Sequence, residues 1–251
     1  MRRLLALVTV LAIAGCGDDA TVSGGGDKPQ IVVSAASSMK EALTACAPDF
    51  PDADVRLQFA GSDELAAQIR QGVPVDVFAA ANTQLPDALA QEGKLGKPVT
   101  FATNQLVLAV PADGGEVDSL KALERPGVTL VVGAEGVPVG DYTRAVLAHL
   151  GAARSNAVLA NVRSNEPDVK GIVGKLTQGA ADAGFVYASD VEAANGELRA
   201  IELPAELEPT ATYGAGVVKA AKQPDAAEAF VDDLLAGGCH RALLAAGFGE
   251  P

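Results

Sequence analysis

The sequence predicts an α/β protein of two lobes, each a mainly parallel sheet flanked by helices. Three observations lead there. Apolar residues make up 49% of the 251-residue chain, aromatics only 4%, and tryptophan is absent, so the core must be built from Ala, Val and Leu, a palette of buried parallel strands. Short apolar runs alternate with amphipathic stretches of helical length, the pattern of βαβ units. That alternation occurs twice along the chain.

In chain order, the apolar, β-branched Ile31–Val33 reads as a strand. Ser38–Ala47 reads as an amphipathic helix, with Met39, Leu43 and Cys46 on one face. Val55–Phe59 and Val75–Ala79 continue as strands around a helix at Asp63–Gln71, followed by a helix at Thr83–Glu92 and a long strand at Asn104–Val110. The second set holds a strand at Thr129–Gly133, helices at Tyr142–Leu150 and Val169–Thr177, and a strand at Ala183–Tyr187. A strand at Ala215–Val218 and a helix at Asp225–Leu235 close the chain. Phe101–Gln105 reads as an outward crossing between the lobes and the Pro-rich Leu203–Pro209 as the return. One lobe is therefore expected over residues 29–103 and 213–251, and the other over 104–212.

The first 28 residues have a different character. Met1-Arg2-Arg3 precedes the apolar run Leu4–Gly15, too short to span a bilayer, and Ile13-Ala14-Gly15-Cys16 follows. A basic start, an apolar core and a small-residue site before cysteine resemble a bacterial lipobox. Residues 1–15 are then a leader, Cys16 the lipidated terminus, and the polar, Gly-rich 16–28 a flexible tether. The alternative is an ordinary signal peptide.

The chain carries 19 basic and 32 acidic residues, a net charge of −13, and loss of the leader's two arginines takes it to −15. Nucleic acid, which rewards basic surfaces, is excluded as a partner. An anion site here must work through local dipoles. Outside the cytoplasm Cys46 and Cys239 are expected to pair as a disulfide, which requires an early and a late helix to meet. Two buried thiols are the alternative.

Four helices begin at junctions that leave backbone N–H groups beside small or uncharged residues. These are Ala36-Ser37-Ser38, Phe59-Ala60-Gly61-Ser62, the segment Gly136 to Gly140 (GVPVG), and Asn165 to Val169, where Pro167 suits a first helical position. A helix N-terminus offers unpaired donors and the positive end of a dipole, so it holds anions without a cationic side chain. In open α/β sheets such junctions lie at the carboxyl ends of strands, where ligands bind. Each alone has a plainer reading. Ser at a helix start is ordinarily an N-cap, and Tyr187 at a strand end is ordinarily a packing residue. The set points to an anion.

SAASSMKEAL, FAGSDELAAQIRQGVPVDVFAAAN, NQLVLAV, GVPVGDY, PDVKG and GFVYASD follow one another along most of the chain. In that order they resemble the molybdate-binding proteins of bacterial ABC importers, a family of two-lobed type II solute-binding proteins. The resemblance implies a tetrahedral oxyanion held in the interlobe cleft by two serine hydroxyls, backbone amides and a tyrosine hydroxyl. Carried over motif by motif, the serines fall on Ser38 and Ser62, the amides on Val139 and Val169, and the tyrosine on Tyr187. Ser37 occupies a slot where the family often has alanine and keeps its local reading. The implied ligands are molybdate and tungstate, the implied partner an ABC permease, and the implied state a lipid-anchored extracytoplasmic monomer without cofactor or catalytic residues.

Gly61-Ser62-Asp63 departs from the family's run of small hydroxyl residues. Asp63 and Asp141 both place a carboxylate near the expected site. Acids in a first helical turn complement the dipole and can point to solvent, whereas an acid facing the cleft would accept a proton from a protonated oxyanion such as phosphate. Sulfate would be rejected by size alone. A serine hydrolase is disfavoured by the lack of a G-x-S-x-G elbow and by His149 and His240 standing apart from the motifs. A ferric-ion site would need several tyrosine or histidine ligands, and Tyr142, Tyr187 and Tyr213 are well separated in sequence.

Overall fold

A computed structural model describes residues 28–251, so the leader, Cys16 and the tether up to residue 27 lie outside the described residues. Among the described residues nine strands form one curled sheet in the order β2-β1-β3-β9-β4-β7-β5-β6, with β8 also paired to β4. Strands β1 (Gln30–Ala36), β2 (Asp54–Ala60) and β3 (Val77–Ala80) pair in parallel and are joined through α1 (Lys40–Cys46) and α2 (Ser62–Arg70). At the other end β5 (Leu130–Gly133) lies parallel to both β6 (Val162–Glu166) and β7 (Ala183–Tyr187). The strands buried on both faces are near-continuous apolar runs, VFAA in β3, LVVG in β5 and AGFVY in β7, as packing between two helical layers demands.

Two long antiparallel strands join these halves. In β4 (Val99–Pro111), residues Val99 to Gln105 pair with β9 (Thr210–Val217), and Leu106 onward pairs with β7 and β8 (Leu198–Glu202). The expected outward crossing at Phe101–Gln105 is therefore the first part of a continuous strand, bent by a register shift between Thr100 and Ala102. Strand β9 likewise begins five residues before the expected Ala215, directly after the Pro-rich return.

Helices α3 (Gln84–Gln91), α4 (Pro138–Ala148), α5 (Ala152–Leu159), α6 (Val169–Thr177), α7 (Ala188–Ala193), α8 (Pro224–Ala236) and α9 (Gly238–Ala245) cover the sheet faces. One large core runs through both halves, and a smaller one lies under α2 and α3. Helix α4 starts four residues before the expected Tyr142, because Pro138 takes the first helical position. Elements α5, β6, α7, β8 and α9 escape the sequence reading. The two missed strands read VRSNE and LRAIE, the first mostly polar, the second broken by Arg199 and closed by Glu202, and both partly exposed, so neither presents the continuous apolar run that marks a buried strand.

Cys46 and Cys239 are joined by a disulfide that fastens α1 to α9 across 193 residues of sequence. The Asp of the quoted P-V-D-V-F run is structural. Asp76 is buried and its carboxylate accepts the Val32, Lys222 and Gln223 N–H groups, tying β1 to the loop before α8.

Candidate functional site

The carboxyl ends of β1, β2, β5, β6 and β7 converge on one small cavity, lined by the junctions that carry Ser38, Ser62, Val139, Val169 and Tyr187. Each of those five residues is at most 4% exposed. About 20 Å³ is open to the centres of ligand atoms. A single water needs roughly 10–15 Å³ by that measure, so the cavity as it stands has room for one compact group.

Neither serine is a cap. Ser38 lies in a 3₁₀ turn, Ser37–Met39, whose N-cap is Ala36, and Ser62 is the first residue of α2 behind the N-cap Gly61. No side-chain capping bond forms at either start. Instead the Ala81 N–H donates to Ser62 Oγ at 3.1 Å, which occupies a lone pair and leaves the Ser62 proton free for the cavity. Ser37 also lines the cavity and caps nothing, so the local reading given to it from sequence does not hold.

The amides come from helix starts. In α4, Pro138 has no N–H to offer, and Val139 and Gly140 are the next first-turn donors without intrahelical partners. The turn approaches β5 so closely that a Cβ on Gly140 would sit 2.1 Å from Ala134 O, and one on Gly133 2.6 Å from Gly140 N. Glycine at both positions is what lets the amides reach the strand end. At the start of α6, Pro167 does not take the first helical position its residue type suits. The helix begins at Val169, as the helix reading expects, and Asp168 is its N-cap, its carboxylate accepting the Gly171 N–H at 2.9 Å. That bond satisfies a later amide and leaves Val169 N–H at the cavity wall.

Tyr187 ends β7, and its buried hydroxyl has no partner among the described residues. Behind it stands Tyr213 on β9, fully buried, with its ring edge-on to Tyr187 at 5.8 Å and its hydroxyl 3.0 Å from Ser38 Oγ. Tyr142 belongs to the same neighbourhood, its hydroxyl accepting the Thr212 N–H. The three tyrosines that are far apart in sequence thus gather here. Burial pushes the Tyr187 and Tyr213 hydroxyls well above the ordinary tyrosine range, so both are neutral phenols able to donate to an oxyanion. Tyr213 is the site residue that sequence reasoning missed. The motif scan had no signal for a residue one layer behind the cavity.

Charge is kept off the wall. Among the described residues no Lys, Arg or His lines the cavity, and Asp168, the one acid that does, is spent on its cap. Asp141 accepts the Gly136 N–H at 2.9 Å. Asp63 does not line the cavity, but its Oδ1 is buried without a hydrogen-bond partner among the described residues, at the seam where Gly61 meets Pro167. A Cβ on Gly61 would lie 2.4 Å from Pro167 O and 2.8 Å from Asp63 Oδ1, so only glycine permits this closure. Burial raises the Asp63 pKa, and the Glu64 and Asp141 charges push the same way. His149 is exposed at the end of α4, and His240 pairs with Glu250 at 3.3 Å. Neither touches the cavity.

The profile of the bacterial extracellular solute-binding proteins matches residues 31–249. The molybdate-binding protein ModA of Mycobacterium tuberculosis is 34% identical over 258 aligned positions, covering 98% of this chain and 97% of its own. Among solved structures, the periplasmic molybdate-binding protein of Azotobacter vinelandii superposes with a TM-score of 0.78 at 25% identity, covering 88% of this chain and 99% of that one. The sulfate-binding protein SubI of M. tuberculosis shares the fold, with a TM-score of 0.73 at 16% identity over 88% of this chain and 86% of that one. These relatives are binding proteins, not enzymes, and the fold is that of two-lobed periplasmic binding proteins. By sequence, fold and the order of its motifs, the chain belongs to the molybdate-binding proteins among the bacterial extracellular solute-binding proteins.

Proposed function

We propose that this protein captures molybdate, and tungstate with it, outside the cytoplasm and delivers it to the permease of an ABC importer. One observation carries the reading: a cavity of about 20 Å³ ringed by neutral donors and, among the described residues, lined by no cationic side chain. In such a site Ser38, Ser62 and Tyr187 give hydroxyl donors, and Val139 and Val169 give amides at the positive ends of helix dipoles. Dipoles fixed in a dry pocket stabilise a dianion without a counter-charge. Lobes at 29–103 plus 213–251 and at 104–212 would open about the β4–β9 ribbon and close over the anion. Cys16 would carry the lipid and residues 16–28 the tether, with the protein working as a monomer.

Isothermal titration of the domain from Pro29 onward against molybdate, tungstate, sulfate and phosphate tests this. Tight binding of the first two and weak binding of the others is expected. Binding of sulfate or phosphate without molybdate would replace the ligand assignment. Mass spectrometry of the membrane-extracted protein tests the anchor, since a diacylglyceryl adduct on Cys16 is expected and an unmodified N-terminus refutes it.

A further inference from the structure

Lys170 follows Val169 directly but does not line the cavity. Its Nζ lies 2.7 Å from Glu41 Oε2 on α1 and 3.1 Å from Asp190 Oδ1 on α7. The Asp190 side chain is fully buried, and its Oδ2 accepts the Tyr187 N–H at 3.2 Å. The Lys170 ammonium therefore contacts residues three positions from Ser38 and from Tyr187, while Lys170 itself adjoins Val169, so the contacts link the segments of three of the five residues assigned to the anion.

The two contacts differ in kind. Lys170 and Asp190 lie in one half of the molecule, since α6 packs on β5, β6 and β7 and α7 follows β7. Glu41 lies in the other, on a helix packed against β2 and α9. The Lys170–Glu41 pair therefore crosses from one half to the other on one side of the cavity, as the contact of Gly61 with Pro167 does at the seam near Asp63. Separation of the halves must break it. The buried Asp190 carboxylate keeps the ammonium in place, because Lys170 is the cation beside it. Its charge is secure, the neighbouring carboxylates raising the Lys170 pKa above the ordinary value despite burial.

We infer that Lys170 is a positioning residue that clamps α1 to α6 across the closed cavity and thereby slows release of the bound anion. This rests on the oxyanion reading above. Glu41 is half-exposed, so its pair with Lys170 carries the modest strength of a surface bridge, enough to change a rate by about two- to fivefold.

Association and release of radiolabelled molybdate, chased with unlabelled anion, separate the roles. Glu41→Gln should speed release about two- to fivefold and leave association unchanged. Lys170→Met should speed it at least as much, and the double variant should be no faster than Lys170→Met, because both changes remove one contact. Raising ionic strength should quicken release from the wild type and not from Glu41→Gln. Should Lys170→Met fail to fold with Asp190 unpaired, Glu41→Gln and its salt response still decide the matter. Unchanged release in Glu41→Gln, with the wild type binding molybdate, overturns the clamp alone. A wild type that takes up no molybdate overturns the reading beneath it.

Discussion

The backbone N–H of Ala81 donates to Ser62 Oγ at 3.1 Å, across 19 residues and from the end of a neighbouring strand. A fixed donor on that oxygen orients the hydroxyl, so Ser62 reaches the cavity with its proton. Ser38 has a counterpart in the Tyr213 hydroxyl at 3.0 Å. Both serines are thus held from behind by groups that no local pattern pairs with them.

Ser38→Ala and Ser62→Ala should each weaken molybdate binding by about 1.5–3 kcal/mol, the worth of a hydrogen bond to a charge. That is roughly ten- to a hundredfold in Kd. Ser62→Ala should also destabilise the anion-free protein by about 1–3 kcal/mol, because the buried Ala81 amide loses its acceptor. Calorimetric titration and urea unfolding read the two effects separately.

Tyr213→Phe should weaken binding by several-fold although Tyr213 does not line the cavity, since the change frees the Ser38 hydroxyl to rotate. Because burial holds Tyr187 and Tyr213 neutral past the ordinary tyrosine range, affinity in the wild type should stay level between about pH 8 and 10. A loss of affinity over that interval would show that a phenol ionises.

Asp63→Asn should tighten anion binding and raise stability. The substitution removes a carboxylate whose burial at the Gly61–Pro167 seam already raises its pKa, together with its repulsion of a bound dianion. Titration of the variant against molybdate checks the direction, and weaker binding would mean that the carboxylate serves the site.

Asp190 keeps its proton up to about pH 6 in the folded protein, where burial outweighs the nearby Lys170 ammonium and Glu41 adds to the rise. In the unfolded chain it titrates near the ordinary value of about 3.9. Folding therefore takes up a proton between those values, so this contribution is complete below about pH 4 and lost as pH rises through about 6. The difference in unfolding free energy between the wild type and Asp190→Asn, measured by urea at several pH values, should shift against the wild type across that window.

Reduction of the Cys46–Cys239 bridge, or its replacement by serines, should cost about 2–5 kcal/mol of stability. The bond closes 193 residues of chain, and its loss frees the unfolded state most. Unfolding with and without reductant measures this, and anion affinity near 20 °C should change little while the fold persists, since neither cysteine lines the cavity.

Alternation of apolar runs with amphipathic stretches was enough to read an α/β fold, because β3, β5 and β7 are buried on both faces and local composition follows burial. The four helix starts were readable for a similar reason, since a free first turn and small residues are local properties. The tertiary structure alone decided the rest. Strands β6 and β8, whose short sequences are interrupted by charged residues, gain their pairing from their neighbours in the sheet. The passage of β4 and β9 between the halves brings Tyr213 to Ser38 over 175 residues. The approach of α6 to α1 brings Lys170 to Glu41 over 129. Such contacts depend on which strands lie side by side, and that order is set by the packing of the whole sheet, which no window of sequence contains.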